Sequence, residues 1–323
     1  MPFVFAFVSA GIFAFASAGY VAAETPQIRA AILKTGTVNW ELDTIKRNGF
    51  DTANEFELIV QPFADNGATR VALAGGEADV AVADWIWVAR QRAAGKDYVF
   101  IPYSKAVGGL VVPADSPAQS LQDMVGQKIG IAGGPLDKSW LILQAYALQE
   151  YDMQLAASTE QVFGASPLIF KTALQGKLGG AINFWHFLAK MKAAGMRELV
   201  SVADAAKALG LNPDTPLLGY VMKDSFILEN PDIAQKFYNA SRAAKALLAN
   251  DDSAWEPLRK QMNVTTDKQY ETLRADFRAG IPNKGAIDKV GADKFLQLMA
   301  ELGGKKLVGA ATTLPAGLFA EIE

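Results

Sequence analysis

One histidine, His186, would have to serve any imidazole-based acid–base chemistry in this chain of 323 residues. A Ser-His-Asp hydrolase would need it paired with an activated serine, and no G-x-S-x-G elbow precedes it. A single histidine placed after a strand reads as a pocket-lining or structural residue. The absence of cysteine removes thiol catalysis, disulfides, cysteine zinc sites and iron–sulfur ligation together. No His/Asp/Glu group has zinc-like spacing, and no stretch matches an EF-hand loop. The pairs Gly108-Gly109, Gly133-Gly134, Gly179-Gly180 and Gly303-Gly304 fit neither G-x-x-x-x-G-K-[ST] nor G-x-G-x-x-G, so turns explain them. Catalytic residues, a resident metal and a cofactor are therefore not expected.

The tryptophans point to binding instead. Of six, five follow predicted strands: Trp40, Trp85, Trp87, Trp140 and Trp185. Trp40, Trp85, Trp140 and Trp185 come from four separate strand-to-helix junctions. In open α/β sheets, ligands bind beyond the carboxyl ends of the strands, so these four could face one crevice. Polar residues stand beside them: Asn39 and Glu41, Asp84, Asp137 and Ser139, and Asn183. Flat apolar walls with a few placed polar groups make a small-molecule pocket. For any one tryptophan, ordinary core is the better reading; the set at matching junctions favours a pocket. Glu41, Asp84 and Asp137 are acidic, with Lys138 the obvious basic neighbour. Acids beside aromatic rings suit a cationic or amine-bearing ligand. If the three carboxylates converge, they could instead meet a hard metal ion or a metal complex.

The elements that must position these residues alternate along the chain. Strands are expected at Ile28–Leu33, Phe56–Gln61, Ala78–Ala83, Tyr98–Pro102 and Leu110–Pro113, with short helices between them. Ala78–Ala83 is apolar enough to be buried on both faces, as in a parallel sheet. After the turn residues Asp115-Ser116-Pro117 the pattern restarts, with strands at Gln127–Ala132, Gln161–Phe163 and Gly180–Phe184. Ser139–Tyr146 carries the apolar spacing of a core-facing helix. Leu218–Met222 brings the chain back, and the rest is mostly helical, with one helix opening at Asn230-Pro231 and running through Leu248. Two strand–helix layers joined by two extended crossings make a two-lobe α/β architecture.

Composition agrees with an exported binder. The 31 Lys+Arg against 34 Asp+Glu offer no basic stripe for nucleic acid. The stretch Phe3–Val21 is apolar or small throughout, and Val21-Ala22-Ala23 presents small residues where a signal peptidase reads. Residues 1–23 are therefore expected to be a signal peptide, although no basic residue precedes the apolar run. Without cysteine, a lipid anchor is not expected.

Four stretches, in order, resemble the periplasmic solute-binding proteins of ABC importers, in the branch that holds nitrate, taurine, alkanesulfonate and thiamine-precursor binders. They are Gly75-Gly76-Glu77-Ala78-Asp79 through Asp84, Leu121 to Ala132, Gly180-Ala181-Ile182-Asn183-Phe184-Trp185, and Asp224 through Asn230-Pro231 to Phe237. The resemblance covers about Ile28 to Leu248. It implies a type II periplasmic-binding-protein fold, with lobe one at 27–109 plus 218–323 and lobe two at 110–217. It also implies ligand contacts at Gly36–Trp40, which includes Thr37, at Asp84-Trp85, at Asp137–Trp140 and at Trp185. A soluble periplasmic monomer is expected, delivering a small solute to an inner-membrane ABC permease. Pro135 and Asp137 stand in a loop that anion binders of this branch usually fill with Ser/Thr. That departure favours a planar, nitrogen-bearing organic solute over simple sulfonates. An enzyme of pyrimidine-precursor synthesis on the same fold is the chief alternative. On these expectations, Trp185→Ala weakens binding and leaves the fold intact.

Overall fold

The computed structural model describes residues 25–322, so the expected leader at 1–23 lies outside the described residues. The described strands are Gln27–Leu33 (β1), Glu57–Phe63 (β2), Val80–Asp84 (β3), Tyr98–Ser104 (β4), Gly109–Val112 (β5), Lys128–Ala132 (β6), Glu160–Gly164 (β7), Gly180–Asn183 (β8), Arg197–Ser201 (β9) and Leu218–Lys223 (β10). They form two five-stranded sheets with the orders β2-β1-β3-β10-β4 and β7-β6-β8-β5-β9. In the first, β1 lies between β2 and β3 in parallel, and β10 runs antiparallel to both β3 and β4. In the second, β6 lies between β7 and β8 in parallel, and β5 runs antiparallel to both β8 and β9. One pattern is thus used twice, and the antiparallel fourth strand of each sheet adjoins a crossing between the halves.

Local sequence explains these positions. The strand Val80-Ala81-Val82-Ala83 takes a central place, with helices on both sides to cover its faces. All four residues of β5 are buried for the same reason. In β10, Gly219 is required by space: a Cβ there would lie 2.2 Å from the Phe100 ring and 2.5 Å from the Ile101 carbonyl oxygen. The register between β10 and β4 shifts at this point.

Two departures from the expected elements have physical causes. Strand β9 and the helix Val202–Ala208 have no counterpart among the expected elements, because Arg197-Glu198-Leu199-Val200-Ser201 is a half-buried edge strand with a weak apolar pattern. The helix expected to open at Asn230-Pro231 runs over Ile233–Asn250, and an additional short helix, Asp224–Glu229, precedes it. The break falls at Asn230-Pro231-Asp232, where proline disfavours helical backbone before it and Asp232 adopts a left-handed φ of 65°.

The C-terminal helices lie against both halves. Asp267–Ala279 packs on Trp185–Ala193, which follows β8. Lys289–Val308 packs on Trp85–Ala93, after β3, and on Lys138–Tyr151, after β6. One hydrophobic core runs through both halves, from Trp85 and Phe100 to Trp140 and Ile182. No helix among the described residues is long and apolar enough to cross a membrane.

Candidate functional site between the two sheets

The carboxyl ends of β1, β3, β6 and β8 open onto one cavity of about 510 Å³ between the halves. Its floor includes both crossings, at Ala106-Val107-Gly108 and Leu217-Leu218. Gly108 allows a close approach there: a Cβ would lie 2.6 Å from the Asn183 carbonyl oxygen and 3.1 Å from Ser139 Oγ.

Of the eleven expected ligand contacts, five line this cavity: Thr37, Asp84, Asp137, Ser139 and Trp185. The other six are placed elsewhere. Asn39 closes its own turn, with Nδ2 donating to the Leu33 and Gly36 carbonyls at 2.8 and 2.7 Å. Asn183 Nδ2 donates to the Ser166 carbonyl, and its Oδ1 accepts from the Phe184 N–H. Trp85 and Trp140 belong to the main core, where Trp85 packs on Phe295 and Phe319. Trp40 packs edge-on against Trp185 at 5.9 Å and Trp255 at 6.1 Å, behind the cavity wall.

Glu41 has no exposure and does not line the cavity. It accepts from Tyr220 Oη at 2.9 Å, Ser241 Oγ at 2.6 Å and Lys245 Nζ at 2.5 Å. The three carboxylates therefore do not converge. Among the described residues, no group of three or more His, Cys, Asp or Glu side chains is placed to hold a metal ion.

Sequence reading missed several wall residues. Trp87, Arg70, Arg90, Leu136, Phe184 and Lys306 also line the cavity, together with Lys138, expected as a basic neighbour, and His186, expected as pocket-lining or structural. The signal for Trp87 was present. Two residues along a helix turn about 200°, so Trp85 and Trp87 point to opposite sides, and only one of them can meet the cavity. Arg90 falls one turn after Trp87, on the same face. Arg70 is carried on the separate helix Asn66–Gly75 and has no local signal.

Charge in the cavity differs from the expected acidic character. The lining cations are Arg70, Arg90, Lys138 and Lys306, against two carboxylates, Asp84 and Asp137. Asp84 joins the halves: its Oδ2 accepts from Lys138 Nζ at 2.9 Å, while its Oδ1 caps the Trp87 N–H at 2.9 Å. Burial alone would raise the Asp84 carboxyl, but Lys138 and the Trp87 N–H outweigh it and hold the group below its ordinary value. Asp137 caps the Trp140 N–H at 3.0 Å, and burial pushes its carboxyl up. His186 is drawn down to about 4 by burial and by Lys190, so it stands neutral at pH 7. Arg70 lies over the Trp87 ring at 4.6 Å, and Trp87 stacks in turn on Tyr98 at 5.5 Å. Its Nε is buried with no hydrogen-bond partner among the described residues.

Five helices begin at this cavity, and their caps divide them. Asp65, Asp84 and Asp137 cap the helices starting at Asn66, Trp85 and Lys138. The helices Val38–Arg47 and Trp185–Ala193 have no side-chain cap. One follows β1 and the other β8, so each half contributes one uncapped N-terminus.

Solved structures share this architecture. The periplasmic aliphatic sulphonate binding protein SsuA from Escherichia coli superposes with a TM-score of 0.71 at 16% identity, over 91% of this chain and 94% of that one. The alkanesulfonate-binding protein SsuA from Xanthomonas axonopodis pv. citri, bound to MOPS, gives 0.67 at 17% identity over 94% and 100%. The desulfurization enzyme DSZB gives 0.57 at 13% identity over 90% and 97%, so the fold also carries catalysis. No curated protein matches by sequence. The NMT1/THI5 like family matches residues 46–254, more than half of the chain, and the protein belongs to that family.

Proposed function

We propose that the protein is the periplasmic solute-binding subunit of an ABC importer, and that it captures a small organic acid without converting it. The observation that carries this reading is the pair of uncapped helix N-termini, one from each half, opening onto the interlobe cavity. Free backbone N–H groups at a helix start favour an anion, and the helix dipole adds to the attraction. An acid group held between Thr37-Val38 and Trp185-His186 would bridge lobe one, 27–109 plus 218–323, to lobe two, 110–217. Such a ligand stabilises the closed state because it touches both lobes.

The carboxylates that favoured a cation are otherwise engaged. Glu41 is buried with Lys245, Asp84 holds Lys138 and Trp87, and Asp137 caps a helix. Trp87, Phe184 and Trp185 leave flat apolar wall for the body of the solute, which keeps a planar ring among the candidates. The names of two structural relatives, which bind sulfonates, agree with an acid head. Export through a cleaved leader at 1–23 and delivery to a membrane permease as a monomer complete the reading.

A thermal-shift panel tests it. Organic acids should raise the Tm, while amines of matching shape should leave it unchanged. At about 100 times its Kd, a ligand adds about 2.7 kcal/mol of stability, which is roughly 4 °C for a chain of this size. Shifts from amines alone would overturn the acid assignment.

A further inference from the structure

One acid group at the helix N-termini leaves most of the wall's positive charge unanswered. Lys138 is paired with Asp84, so Arg70, Arg90 and Lys306 remain as lining cations. Among the described residues, none of the three makes an ion pair. Arg90 Nη1 donates to the Lys306 carbonyl oxygen at 3.2 Å, which joins its helix to the C-terminal one. Arg70 and Arg90 are near enough for their like charges to oppose each other, and Asp84 is the carboxylate that offsets Arg70. Yet Asp84 already accepts from Lys138 and from the Trp87 N–H.

Arg70 is also built into place. Its guanidinium lies over the Trp87 ring, which stacks on Tyr98, and its Nε is buried and unpartnered among the described residues. A stacked guanidinium presents its donors in a fixed plane, the arrangement that grips a carboxylate or sulfonate through two hydrogen bonds. A half-buried cation left without a counter-charge costs stability unless a ligand supplies one.

From this we infer that the cavity has a second anionic subsite at Arg70, flanked by Arg90 and Lys306, and that its solute is a dianion carrying two acid groups on a compact body. The inference rests on the organic-acid reading above and narrows it to a class. The second acid group meets the Arg70 fork, Arg90 and Lys306 add positive charge to the same cavity, and the body lies against Trp87. A monoanion fills one subsite and leaves Arg70 uncompensated.

Calorimetric titrations with matched pairs test the inference. The probes are benzoate against the three benzenedicarboxylates, and benzenesulfonate against the three sulfobenzoates, at pH 7.5 where every acid group is ionised. At least one dianion should bind about tenfold or more tightly than its monoanion. Arg70→Met should shrink that ratio at least threefold. Arg90→Gln, on an exposed side chain and so a gentler change to the fold, should shrink it as well. Lys305→Gln, outside the cavity lining, should leave it unaltered.

Monoanions binding as tightly as every dianion would overturn the inference and leave the organic-acid reading standing. A preference for dianions that survives both arginine variants would also overturn it. If no acid binds at all, the underlying reading fails and the second subsite falls with it.

Discussion

Lys245→Met should lower the free energy of unfolding by about 3–5 kcal/mol, because it strands a buried carboxylate. Glu41 and Lys245 are 0% and 2% exposed, on the helices Val38–Arg47 and Ile233–Asn250. Lys245 Nζ donates to Glu41 Oε2 and, at 2.7 Å, to Ser241 Oγ, and it lies 4.8 Å from the centre of the Tyr103 ring. Burial pulls the Lys245 ammonium down, and Glu41 works against that. Removing the ammonium leaves Glu41 with only the Tyr220 and Ser241 hydroxyls.

Glu41→Gln should cost a similar amount by stranding the ammonium instead. The double variant Glu41→Gln/Lys245→Met should lose less than the two singles together, by about 2 kcal/mol or more, because neither charge is then left alone. Urea unfolding of the four proteins measures this, and additive losses would show that the pair is not coupled. The effect should reach binding, since this ion pair anchors the uncapped helix whose first turn lines the cavity.

Trp185→Ala is the second large change. The indole is 7% exposed and serves two surfaces at once. It lines the cavity, and behind it lie Trp40 at 5.9 Å and Phe277 at 6.4 Å. The expectation that its loss would leave the fold intact is therefore revised. Truncating a buried aromatic costs about 3–5 kcal/mol, and this one joins a helix after β8 to a helix after β1. Trp185→Ala should lose about that much stability, and at a temperature where it stays folded it should bind the solute at least tenfold more weakly. Trp185→Phe should keep most of the stability. Unfolding curves and titrations of both variants separate the two effects. Unchanged affinity in folded Trp185→Ala would remove the ring from the binding wall.

The architecture was legible in the sequence because it is repeated and locally encoded. Apolar strands such as Val80–Ala83, each followed by a turn and a periodic helix, set two layers in the expected order. Edge elements were less visible: β9 is half exposed, so its pattern is weak.

The site was legible as a place more than as a set of residues. All four expected junctions reach the cavity, yet at each one the side chain that meets it depends on helical phase. After Asp84, Trp85 enters the core and Trp87 faces the cavity. After Asp137, Ser139 faces it and Trp140 does not. Charge misled for a related reason. Glu41 and Asp84 look like ligand contacts in sequence, but their partners Lys245 and Lys138 stand 204 and 54 residues away. No local pattern predicts such pairings. Arg70 was hidden in the same way, on a helix that carries none of the tryptophans.

On the proposed function, the protein binds an organic acid between its lobes and releases it unchanged. Equilibrium dialysis with full recovery of the solute tests this most directly, using the acid that gives the largest thermal shift. One mole should be retained per mole of chain, with all of it recovered as the starting compound. Conversion of the acid to a product would place the protein with the enzymes of this fold. No retention of any acid that shifts the Tm would contradict the binding site itself.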